Sequence, residues 1–157
     1  MRARGLLLAG LGLVAAGVVG LGLLGLGFVA PAAAGDEVAR GAWIYYTGTD
    51  PDTGQPIPYS GGMGMVMACA DCHGPDGRGL RTPMFVSPDI RYRNLTDPAG
   101  ILEPDGSRGP RYTEELIRRA VTQGIDAEGR PLAWPMPRWR LTDRQWRDLL
   151  AFLKALP

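Results

Sequence analysis

Histidine and cysteine are nearly missing from this chain. Its 157 residues hold two cysteines, Cys69 and Cys72, and one histidine, His73. Two cysteines close at most one bridge, so a disulfide framework is excluded. A structural zinc site needs four nitrogen or sulfur ligands, and only these three side chains qualify. No alternating apolar–polar run of useful length is present, which removes the case for a sheet-built fold. No internal repeat is present either, which excludes a solenoid. Lysine is confined to Lys154, so nearly all positive charge is arginine. The formal net charge of +1 offers nothing to a polyanion, and no nucleic-acid partner is expected.

What is abundant is glycine, 23 residues, and proline, 14 residues, which predicts few regular elements joined by long loops. The N-terminus is different. Arg2 and Arg4 precede an uncharged stretch, and residues 5–30 are almost wholly Leu, Gly, Val and Ala. Positive residues before an apolar run mark an export signal or a membrane anchor. Ala32, Ala33 and Ala34 before Gly35 offer the small residues that a signal peptidase needs. Against cleavage, the apolar run is 26 residues long, whereas a cleavable signal has a core of about 7–15. As a helix it would reach about 39 Å, enough to cross a hydrocarbon core of about 30 Å with tilt. Residues 1–34 are therefore read as a signal peptide or transmembrane anchor, and residues 35–157 as one domain on the periplasmic side of the membrane. Without Arg2 and Arg4 the 17 basic residues become 15 against 16 acidic ones, a net −1. Docking by local patches rather than by overall charge is the expectation.

Within the domain, residues 36–47 read as a helix, with Asp36 and Glu37 at its positive end and Val38, Gly41, Ala42 and Tyr45 on one face. Residues 48–64 and 74–89 read as loops, and residues 90–109 show no periodicity. Residues 112–123 read as a second helix, capped by Thr113 and closed by Gly124, with Leu116, Ala120 and Gln123 along one face and Ile117 and Val121 beside it. The last helix starts at Thr142, which forms a capping box with Gln145. Trp146, Leu149, Leu150, Leu153 and Leu156 then recur at helical spacing.

The chemistry sits in Cys69-Ala70-Asp71-Cys72-His73. This is the attachment pattern for haem c. Two thiols three positions apart can reach the two vinyl groups on one porphyrin edge, and the next histidine falls beneath the iron. Other uses of the cysteines are a thioredoxin-like pair, which needs a βαβ context that is missing, and a disulfide, which would have no need of His73. With no second histidine, a methionine is the natural second axial ligand. Met136 lies between Pro135 and Pro137, which stiffen the backbone around it. Met84 is the alternative, and an iron with an open position is another. Met63, Met65 and Met67 are a lesser alternative, since they stand too close to the cysteines to swing easily to the opposite side of the ring. They are read as packing, with a copper role as the alternative, since thioethers suit Cu(I). Trp43, Phe85, Trp134 and Trp139 are candidates for the pocket wall.

These residues resemble class I cytochrome c over residues 36–157. The resemblance rests on Gly41 and Tyr45 in the first helix, on residues 69–73 continuing as Gly74-Pro75-Asp76-Gly77-Arg78-Gly79, and on Met136-Pro137 ahead of a last helix carrying Leu149, Leu150, Ala151, Phe152, Leu153 and Lys154. It implies an all-α fold wrapping one covalently bound haem, preceded here by the N-terminal hydrophobic helix. His73 and Met136 would be the axial ligands. Gly41 would meet Leu149 and Phe152 where the first and last helices cross. A proline carbonyl would orient the histidine, with Pro83 as the candidate. The function implied is electron transfer, without catalysis of its own, among membrane oxidoreductases in an extracytoplasmic respiratory or oxidative chain. The alternative is the same domain as the haem c subunit of a larger dehydrogenase or oxidase. An open iron would instead suit peroxidase or gas chemistry.

Overall fold

The computed structural model describes residues 34–64 and 68–157. The reading of residues 1–34 as a signal or anchor lies, but for Ala34, outside the described residues, as do Met65 and Met67. Among the described residues no helix is long and apolar enough to cross a membrane.

Among the described residues, five helices and a two-stranded ribbon follow in chain order: α1 (Ala34–Thr47), β1 (Tyr59–Ser60), α2 (Ala70–His73), α3 (Tyr92–Leu95), α4 (Glu114–Gln123), β2 (Arg138–Trp139) and α5 (Asp143–Ala155). The three long helices fall where the apolar spacing put them. In α4 the Thr113 side chain accepts the Leu116 N–H, and Gly124 ends the helix at a left-handed φ of 68°. In α5 both halves of the Thr142–Gln145 capping box are made. All five residues of the expected α5 stripe are buried. In α4 the buried residues are Ile117 and Ala120, while Gln123 faces solvent, so the apolar face is centred one position away from the expected one.

Helices α1 and α5 cross with their backbones nearly touching. A Cβ on Gly41 would stand 1.9 Å from the Asp148 carbonyl oxygen and 2.8 Å from Phe152 Cβ. Gly41 thus meets Phe152 as expected, and the Asp148 backbone stands against it as well. Arg40 fastens the crossing. Its Nε donates to Asp148 at 2.9 Å, and its two terminal nitrogens grip Asp52 at 2.7 and 2.8 Å.

Helix α2, helix α3 and the ribbon have no counterpart as regular elements in the sequence reading. Helix α3 lies in a stretch without periodicity. The ribbon pairs Tyr59 with Trp139 and Ser60 with Arg138 in antiparallel register, and the Arg140 N–H extends it to the Pro58 carbonyl at 2.8 Å. Two-residue strands are too short to show alternation. Their effect is to bind the loop ahead of the cysteines to the segment just after Met136.

Candidate haem site

A four-residue helix places the expected attachment residues. Cys69 caps α2, and the Cys72 and His73 N–H groups both donate to its carbonyl, at 3.2 and 2.9 Å. One helical turn sets positions three and four apart on the same side, so both thiols and the imidazole face the same way. Asp71 accepts the Ala68 N–H at 2.9 Å. Gly74, at φ 75°, stops the helix and returns its N–H to Ala70.

Cys69, Cys72 and His73 line one cavity together with Met136, at the centre of the fold. Its walls are otherwise almost wholly apolar and come from every long helix: Tyr45 from α1, Ile117 and Ala120 from α4, and Leu149 and Leu153 from α5. The expected wall residues divide. Phe85 and Trp139 line the cavity. Trp43 stands 51% exposed and donates its indole N–H to Thr49, and Trp134 is 69% exposed. Met84 is 79% exposed and Met63 is half-buried, and neither lines the cavity.

His73 is buried, and its Nδ1 lies 3.1 Å from the Pro88 carbonyl oxygen. Pro83, the expected partner, is exposed on the surface. The chain needs 15 residues, not ten, to come back beneath the ring, because residues 80–87 form their own loop, with Leu80 and Ser87 bonded to each other. A carbonyl can only accept, so the proton sits on Nδ1 and Nε2 keeps its lone pair for a metal. Burial pushes the imidazole below its ordinary pKa, against a smaller opposing effect of the Pro88 bond. The ring is therefore neutral and fit to ligate.

The thiols are not poised for redox chemistry. Burial pushes Cys69 up to about 12 and raises Cys72 as well, and a protonated thiol is a poor nucleophile. Both cysteines are free, with no disulfide between them.

Several fastenings of the site carry no signal in the sequence. Tyr45 donates its buried hydroxyl to the Gly74 carbonyl at 2.6 Å, and the adjacent Tyr46 reaches the Pro75 carbonyl at 2.7 Å. The Ser87 hydroxyl bonds the Cys72 carbonyl. Arg91, itself buried, pairs with Asp89 and donates to the Pro157 carbonyl at 2.9 Å. Apart from the Arg91–Asp89 pair, each partner lies far along the chain, where no spacing rule reaches.

An apolar cavity, two free thiols on its wall and a neutral histidine with one nitrogen available fit a covalently attached porphyrin, and they define a c-type haem protein. The cytochrome c family model matches residues 62–157, and the chain belongs to that family. It holds one haem c and is a haem-based electron carrier. The chain is 31% identical over 124 residues to the gluconate 2-dehydrogenase cytochrome c subunit of Pantoea cypripedii, a match covering 76% of this chain and 23% of that protein. The chain thus spans about a quarter of the length of the curated relative it matches. No solved structure matches it.

Proposed function

We propose that Cys69 and Cys72 hold the haem through thioether bonds, that His73 and Met136 are its axial ligands, and that the chain passes single electrons in an extracytoplasmic respiratory or oxidative chain. The observation that carries this reading is the shared cavity: His73 and Met136 line it together, and the histidine keeps Nε2 free. When bound, the haem supplies a reversible one-electron couple between Fe(III) and Fe(II). The residues do the rest. Pro88 fixes the histidine tautomer and ring plane. Pro135 and Pro137 hold the Met136 backbone. The Met136 thioether and the apolar walls favour the less charged iron state, which sets a comparatively high potential.

The likeness to a dehydrogenase's cytochrome c subunit supports a second, compatible reading. Here the domain accepts electrons from a dehydrogenase at the outer face of the membrane. The apolar run at residues 5–30 would then act as an uncleaved anchor and raise the effective concentration of the domain near its partners. A mature N-terminus at Gly35 overturns the anchor and leaves a soluble exported carrier. Co-purification with a larger oxidoreductase supports the subunit reading over the free carrier.

The test of the ligand set is the visible spectrum of the reduced, haem-loaded protein before and after carbon monoxide. Sharp bands that ignore carbon monoxide are expected, because Met136 fills the sixth position. Bands that shift at once would remove Met136 from the iron and favour an open site.

A further inference from the structure

We propose that Arg138 is a positioning residue for Met136: its guanidinium clasps the backbone of residues 132–136 and so holds the methionine thioether over the cavity. The inference rests on the reading of Met136 as an axial ligand. Residues 131–137 include three prolines, Pro131, Pro135 and Pro137, which have no N–H to donate. The segment is therefore short of backbone donors, while any of its carbonyls that is buried still needs a partner. Among the described residues the backbone closes it with a turn from the Met136 N–H to the Ala133 carbonyl at 3.2 Å, the Leu132 N–H donates to the Gly124 carbonyl at 2.7 Å, and the Trp134 carbonyl is taken by the Gly62 N–H at 3.1 Å. Arg138 adds bonds to three carbonyls of this segment. It donates to the Leu132 carbonyl at 2.9 Å, to the Ala133 carbonyl at 3.4 Å and to the Met136 carbonyl.

The guanidinium has a built seat. A Cβ on Gly124 would stand 2.0 Å from Arg138 Nε and 2.5 Å from its Cζ. Glycine at this position therefore both closes α4 in a left-handed turn and leaves room for the side chain. The Arg138 backbone is held on its other side by pairing with Ser60. A planar fork with five donors can serve three carbonyls at once, whereas a lysine ammonium is a compact point charge on a flexible stem. Hydrogen bonds from a charged donor are stronger than neutral ones. Their loss should let the methionine leave the iron more often, although no bond to the sulfur itself is cut.

The experiment uses the full-length, haem-loaded protein and measures the rate of carbon monoxide binding to the reduced form, together with the midpoint potential. Arg138→Gln is expected to bind carbon monoxide at least about tenfold faster than wild type, the equivalent of about 1.4 kcal/mol, with a lower potential. Arg138→Lys should lie between. In a Met136→Leu background, Arg138→Gln should change nothing further, since there is no thioether left to position. Should Arg138→Gln yield no haem-loaded protein, Arg138→Lys carries the same comparison. A wild type that resists carbon monoxide alongside Arg138 variants that resist it equally, at unchanged potential, overturns the clasp. A wild type that binds carbon monoxide as readily as Met136→Leu overturns instead the ligand reading on which the clasp rests.

Discussion

The Nδ1 of His73 lies 3.1 Å from the carbonyl oxygen of Pro88, 15 positions further along the chain. The bond fixes which nitrogen is free, and the acceptor is backbone, so no side-chain change at position 88 removes it directly. What holds that carbonyl in place is its neighbours. Ser87 bonds the Cys72 carbonyl, the Asn94 side chain donates to the Asp89 carbonyl at 2.9 Å, and Asp89 pairs with buried Arg91.

Asp89 should therefore contribute to acid sensitivity. Burial raises its pKa, but the Arg91 guanidinium and N–H outweigh this and bring it below its ordinary value of 3.8. The unfolded chain then takes up this proton first as pH falls. The stabilisation is fully present above about pH 3.8 and is lost as pH drops through the lower folded value. Acid unfolding of the haem-loaded protein, followed by circular dichroism, should show Asp89→Asn less stable than wild type at pH 7. The gap should narrow below about pH 4.

Gly41→Ala should damage the fold more than a surface substitution would. The added carbon would sit 1.9 Å from a backbone oxygen, an obstacle no rotamer change can relieve, so α1 and α5 must separate. A loss of about 3 kcal/mol or more is expected, read from denaturant midpoints at unchanged haem content. A loss within 0.5 kcal/mol, the usual range for surface changes, would mean the crossing is looser than described.

Removing the haem should remove the core. Ile117, Ala120, Leu149 and Leu153 belong to the buried cluster and also line the cavity, so the apolar surface they bury depends on the porphyrin. The exported domain made without haem should lack near-UV circular dichroism and a calorimetric unfolding peak. A cooperative transition in that form would sink the idea.

Tyr45→Phe keeps the ring but deletes the buried hydroxyl that donates to the Gly74 carbonyl. A cost of about 1 kcal/mol is expected, with the haem spectrum unaltered. A shifted spectrum would show that the hydroxyl shapes the cavity itself and not only the turn after His73.

Much of this was legible in one dimension because the signals are local. The haem motif is five adjacent residues. The Thr113 cap, the Thr142–Gln145 box and the α5 stripe are all set within a few helical turns. The family model and the residue pattern agree on the cofactor. Long-range placements were not legible: the carbonyl beside His73 comes from Pro88 and not Pro83, and Trp43 and Trp134 stand outside the cavity wall, because each depends on how a loop folds back. Proline and glycine content says only that a loop exists.

By itself the sequence determined the cofactor and the three long helices, and it marked Cys69, Cys72 and His73 as the residues that would hold the cofactor, since each is encoded by neighbours along the chain. Only the tertiary structure decided that Met136 shares the cavity with His73, that Pro88 orients the imidazole, and that Gly124 makes room for Arg138. Those outcomes depend on which distant backbone groups meet. That is settled by close packing and by the need to satisfy buried carbonyls, neither of which leaves a periodic trace in the order of residues.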